Sequence, residues 1–124
     1  MIDRFKFRVF DLREKKYLDI STYIAQDGKL VDKTLEEDWF DGGYVREMAT
    51  GLKDKNGNLI YENDYVKGRD VYHKVCWDDK KARFIIQNMK YKEYCCGIDQ
   101  EFIDEIGLEI IGNIHEMEDK NDIL

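Results

Sequence analysis

The stretch TGLKDKNGNLIYENDYV, residues 50 to 66, sets Asp54, Asn56 and Asn58 at the spacing of the first ligands of a calcium loop. Oxygen donors at alternate positions suit a hard divalent cation. Such a loop also needs a glycine at its sixth position and a bidentate glutamate at its twelfth. Counted from Asp54, those positions hold Leu59 and Tyr65. Calcium binding is therefore set aside. The same stretch contains Asn56-Gly57, the strongest short hairpin signal, since both residues accept the positive φ of a type I′ turn. Asn63 suits a second tight turn because asparagine tolerates the left-handed region. Asp64 beside it is placed to accept from nearby backbone amides. Asn56, Gly57, Asn63 and Asp64 are thus read as turn residues, not ligands.

His73-x-x-Cys76 with Cys95-Cys96 is the one set with metal-like character. Zinc sites favour paired C-x2-4-C knuckles. A spacing of three on a strand sends His73 and Cys76 to opposite faces. An odd number of cysteines, two of them adjacent, makes a poor disulfide framework, so reduced thiols are expected. Neither metal nor cofactor is assigned. Acyl-transfer chemistry lacks its parts: the chain has two histidines, a single serine (Ser21) and no G-x-S-x-G elbow. Glu36-Glu37 and Asp78-Asp79 are neighbours in sequence, which says little about the spatial pairing that acid–base work needs. No G-K-[ST] phosphate loop occurs. No catalytic residue is assigned, and the expectation is a protein that is not an enzyme.

Charge is unevenly spread in this acidic chain, whose formal net charge is −7. Residues 1–49 carry nine Lys/Arg against eleven Asp/Glu, residues 50–92 ten against six, and residues 93–124 one against ten. In the middle segment Lys67, Arg69, Lys74, Lys80, Lys81 and Arg83 flank Tyr65, Tyr72, Trp77 and Phe84. Cations interleaved with aromatics are the composition of a groove for single-stranded nucleic acid. The competing reading fills the core with those aromatics, and Tyr65 and Trp77, lying in apolar runs, are expected inside. The acidic third should neutralise much of the basic segment if LEIIGNI pairs with a strand between residues 58 and 89.

Positioning these residues falls to a series of short strands. RFKFRVF alternates with period two, as a half-buried strand does. DLREKK is a polar turn, and YLDISTYI returns as a second strand. QDGK turns again. LVDKTLEEDWF is ambiguous, because Thr34 with Glu37 fits a capping box and one helical turn. YVREMAT, DYVKG, VYHKVCW and ARFIIQNM are rich in β-branched and aromatic residues and are punctuated by GRD and DDKK. That pattern predicts a small antiparallel barrel or sandwich. Asp99 before QEFIDEI is a ready N-cap for a short helix. LEIIGNIHEM reads as the last strand and EDKNDIL as a frayed end.

Three blocks in the right order resemble YopX-like phage proteins. TGLKDKNGNLIYENDYV is similar to that family's T-G-L-K-D-K-N-G-x-x-I-Y-E-G-D-x-V signature, with Asn63 where glycine is usual. FKFRVFDLREKKYL resembles the family's N-terminal strand pair, and LEIIGNIHEM its closing strand. The resemblance implies a phage or prophage origin and a mostly β fold, SH3-like in its C-terminal part. It implies no activity and brings no catalytic residues with it.

The expectation is therefore a mainly β protein. Residues 1–43 would form an N-terminal β-hairpin region and residues 44–124 a small antiparallel barrel with one or two short helices, the two sharing one compact unit or not. The expected role is that of a phage accessory protein binding an unknown phage or host protein, with nucleic acid as the alternative partner. A homo-oligomer is compatible with this. The charged N-terminus and the lack of any apolar run near ~20 residues argue against a signal peptide and a membrane span and for the bacterial cytoplasm.

Overall fold

In the computed structural model, the structure describes residues 6–18, 22–24, 30–32, 37–39 and 43–117. Among the described residues the fold is mainly β, built from antiparallel sheets with two short helices. The strands are β1 (Phe7–Asp11), β2 (Lys16–Tyr17), β3 (Thr22–Ile24), β4 (Leu30–Asp32), β5 (Glu37–Trp39), β6 (Tyr44–Lys53), β7 (Leu59–Tyr61), β8 (Asp64–Gly68), β9 (Val71–Asp78), β10 (Arg83–Asn88), β11 (Tyr94–Gly97) and β12 (Glu109–Asn113). The helices are α1 (Gln100–Ile106) and α2 (Ile114–Met117). The chain forms two compact units, one of Met1–Phe7 with Met48–Leu124 and the other of Arg8–Glu47. No described helix is long and apolar enough to cross a membrane.

In the Arg8–Glu47 unit, β1 and β2 pair antiparallel, with Phe10 opposite Tyr17. The turn between them is tied by Asp11, whose Oδ1 accepts from Arg13 N–H at 2.9 Å and Glu14 N–H at 3.1 Å. The YLDISTYI stretch is not one strand. Its start pairs with β1 and its end, β3, pairs with β4. β4 also pairs with β5, placing Asp32 opposite Glu37. The capping-box expectation is corrected at this point: Glu37 belongs to a strand, because ladder bonds to β4 satisfy its backbone in place of a helical turn. The expected QDGK turn and the EDKNDIL end lie outside the described residues. The carboxylate of Glu47 is fully buried. It accepts from Arg8 Nε at 2.7 Å and from the Tyr17 hydroxyl at 2.9 Å. Arg8 also lies over the Tyr17 ring, 4.6 Å from its centroid. The ion pair and the hydrogen bonds offset the cost of taking this carboxylate out of water.

The larger unit is organised by a five-stranded sheet of order β11-β10-β9-β8-β12. Its registers set two faces. Val66–His73–Asn88 and Val75–Ile86 point inward, while Lys67–Tyr72, Tyr65–Lys74–Gln87 and Cys76–Ile85 point the other way. Ile60, Val66, Val75, Ile86, Ile103 and Leu108 form the core. Full burial of side chains this size contributes about 1.5–3 kcal/mol each. α1 closes the core with Ile103 and starts where Asp99 accepts from Phe102 N–H at 2.8 Å. Gly68 lets the chain after α1 approach β8. A Cβ there would stand 2.5 Å from Ile106 Cγ2 and 2.7 Å from Leu108 Cδ2. The acidic closing strand β12 pairs with β8, as its composition predicts, and sets Glu109 opposite Lys67. The closing stretch is not all strand, since IHEM turns into α2.

Candidate functional site

The 50–66 stretch is a folding device in which the Thr50, Asp54 and Asp64 side chains serve backbone groups. Between Ala49 and Lys53, β6 carries extra residues against β7, and Gly51 takes φ +83° there. Thr50 Oγ1 sits at this bulge, donating to Ile60 C=O at 2.8 Å and accepting from Leu52 N–H at 3.0 Å. The turn that follows departs from the type I′ expectation. Gly57 has φ +82°, but Asn56 is not in the left-handed region. Gly57 N–H donates to Asp54 C=O at 3.0 Å, and Asp54 N–H to Asn58 C=O at 2.8 Å. This is a type I turn followed by a left-handed glycine, the longer hairpin solution. Asp54 favours it because its Oδ1 accepts from both Asn56 N–H and Asn58 N–H, each at 2.9 Å. Its Oδ2 accepts from Ile110 N–H at 3.0 Å. Both Asp54 oxygens are thus engaged by backbone amides. The second turn follows its expectation: Asn63 has φ +71°, and Asp64 Oδ2 accepts from Tyr61 N–H at 2.8 Å.

An open cleft of about 640 Å³ lies in the larger unit. Apolar Met48, Leu52, Phe84 and Ile98 line it, together with the charged residues Glu62, Arg83 and Asp99. Trp77 also lines it and is 45% exposed, its ring 4.9 Å from Phe84 in an edge-to-face contact. The expectation that Trp77 is core is corrected here. It is on the inward face, opposite Phe84 on β10, but near the end of β9, where the cleft leaves it uncovered. Tyr65 is the buried one of the expected pair, at 4% exposure. Arg83 makes a loose ion pair with Asp78 at 3.7 Å.

The cationic candidates do not form one cluster. Lys67, Lys74 and Arg83 share the outward face of β8, β9 and β10 with Tyr72. Lys67 lies 5.4 Å from the Tyr72 ring centroid. Tyr94, 63% exposed, continues the row through Gln87. Arg69 sits in the β8–β9 turn with φ +51°, and Lys80 and Lys81 in the β9–β10 turn.

His73 and Cys76 do point to opposite faces, and no group of three or more His, Cys, Asp or Glu among the described residues could hold a metal. The Nδ1 of His73 is buried without a hydrogen-bond partner, and burial holds this imidazole below its ordinary value. All three thiols are free. β11, which carries two of them, is absent from the sequence-based expectation, because YKEYCCG has no apolar alternation to announce it.

The chain is similar over nearly its whole length to protein EF1440 from Enterococcus faecalis, with 25% identity and a TM-score of 0.67. The match covers 92% of this chain and 95% of that one. No curated protein matches the sequence. The family model described as YopX protein matches residues 6–119, which include the 50–66 signature, the whole five-stranded sheet and α1. The chain belongs to the YopX protein family.

Proposed function

We propose that the protein is a non-enzymatic phage or prophage accessory protein of the bacterial cytoplasm, acting by contact with another protein of phage or host. The observation that carries this reading is Trp77, large, apolar and 45% exposed in a largely apolar cleft that charged residues also line. Buried aromatic anchors ringed by polar groups carry much of the energy of protein interfaces. The cleft would receive an apolar side chain of the partner, with Arg83 and Asp99 meeting polar groups around it. The non-enzymatic part is supported by how the buried carboxylates are used. Those of Asp54 and Asp64 hold turns together through backbone amides. The test is co-purification from lysogenic cells with wild type and Trp77→Ser, followed by binding of the recovered partner to each in purified form. Loss of about tenfold or more in affinity for Trp77→Ser is expected. Equal binding by the two proteins overturns the cleft reading.

A second reading, single-stranded nucleic acid, is favoured by one observation: Lys67, Lys74 and Arg83 share a face with Tyr72 and the exposed Tyr94. Against it stands Glu109, the cross-strand neighbour of Lys67. Anisotropy of a labelled oligonucleotide separates the readings. Tight binding at physiological salt, weakened by Lys74→Glu and Tyr94→Ala, would put nucleic acid first.

A further inference from the structure

Neighbouring side chains on a regular strand point to opposite faces. Cys95 and Cys96 are neighbours on β11, yet their sulfurs are 3.1 Å apart. The reason is register. Gln87 pairs with Tyr94 and Ile85 with Gly97, so three steps along β11 are matched by two along β10. The extra residue makes a bulge, which re-aims side chains. Cys95 is exposed, while Cys96 is half-buried against the core. The Arg83 side chain reaches the same place, since a Cβ on Gly97 would stand 3.0 Å from Arg83 Nη1.

Two ways of joining these sulfurs can be compared. A direct bond asks two Cα atoms held about 3.8 Å apart by a trans peptide to serve a linkage that prefers about 4.4–6.8 Å. A single soft atom between the sulfurs lets them keep their separation. Thiol sulfur is a soft ligand and selects soft, thiophilic centres. A divalent cation such as zinc would need two thiolates and further donors. No third donor joins the pair among the described residues.

We propose that Cys95 and Cys96 form a vicinal-dithiol site that captures one trivalent thiophilic metalloid centre, of which an organoarsenic(III) species is the representative ligand. The reaction is a condensation. Each S–H and each As–OH bond breaks, two As–S bonds form, and two water molecules leave. No atom changes oxidation state, and each thiol proton departs on a leaving hydroxide. The exposed Cys95 reacts first. Closure by Cys96 is then intramolecular, at the high effective concentration that proximity supplies.

The test uses the reduced full-length chain, phenylarsine oxide as probe and intact-mass detection during titration with glutathione. Wild type is expected to carry one phenylarsenic adduct that survives excess glutathione and is released by dithiothreitol. Cys95→Ser and Cys96→Ser should each hold the probe roughly 100-fold less well, and Cys76→Ser should behave as wild type. Because Cys95 is exposed, its variant keeps the test valid even if Cys96→Ser misfolds. In strong urea, where the bulge is gone, retention by wild type should fall several-fold. An adduct stripped from wild type by glutathione as readily as from Cys95→Ser overturns the site. Equal retention in urea overturns the role of the bulge.

Discussion

Ile110 N–H donates to Asp54 Oδ2 at 3.0 Å across 56 residues of sequence. One carboxylate thereby joins the central hairpin to the closing strand. The bond is shielded, since Asp54 is only 4% exposed and its other oxygen is held by Asn56 and Asn58 amides.

Asp54→Ala should cost roughly 2–4 kcal/mol, because it leaves shielded backbone amides without an acceptor. Asp54→Asn should also destabilise, since an amide keeps one acceptor and sets a donor against a donor. Urea unfolding of the three proteins checks this. Stability of Asp54→Ala within 0.5 kcal/mol of wild type, the usual range for surface changes, would contradict the tie.

Gly57→Val should be less stable than Gly57→Asn by about 1–2 kcal/mol, because position 57 holds φ +82° and left-handed backbone is strained for a β-branched residue. No neighbour lies within 4 Å of an added Cβ, so crowding at that atom does not contribute. Thermal melts that place the two variants together would remove the left-handed glycine from the turn.

Gly68→Ala should cost about 1–3 kcal/mol by overpacking, since the new methyl meets Ile106 and Leu108 side chains. Ile106→Ala in the same chain should recover part of that loss. A double-mutant cycle in urea measures the coupling, and strict additivity would mean that the two sites do not touch.

Acid should weaken the fold through His73. Burial keeps its native imidazole below 6.5, so the unfolded chain takes up the proton first as pH falls. Stability is full above pH 6.5, falls as pH drops through that value, and levels off below the depressed native value. His73→Phe, which cannot titrate, should flatten this part of the curve. Urea midpoints across pH 8 to 5, wild type against variant, provide the comparison, and parallel curves would acquit His73.

Features that depend on a few consecutive residues were legible in the sequence. Asp99 caps α1 through a bond to Phe102, three residues on. Asn63 and Asp64 turn the chain by their own backbone preference and a bond to Tyr61. Richness in β-branched and aromatic residues announced the strands that carry Val66, Val75 and Ile86, and the registers then set these three on the inner face. Local chemistry reaches only so far, however. Asn56-Gly57 announced a turn, but Asp54 selected its type by drawing two amides to one oxygen.

Tertiary structure decided what local preference left open. Thr34 and Glu37 suit a helix start, yet pairing with β4 makes Glu37 strand, because inter-strand bonds complete the backbone over distance. Its apolar run makes Trp77 an expected core residue but says nothing of what covers it, and near the end of β9 the cleft leaves it exposed. LEIIGNI was expected to pair with a strand between residues 58 and 89, which leaves open the lysine its acids would meet. Its neighbour in the sheet is β8, so Glu109 faces Lys67, and the lysines of β9 and of the β9–β10 turn lie at least one strand further on. The meeting of Cys95 and Cys96 is the sharpest case. Two adjacent cysteines are plain in the sequence, but their sulfurs share one side only because β11 carries one residue more than β10 across the same span. Register is a property of two strands together, and neither strand's residues contain it alone.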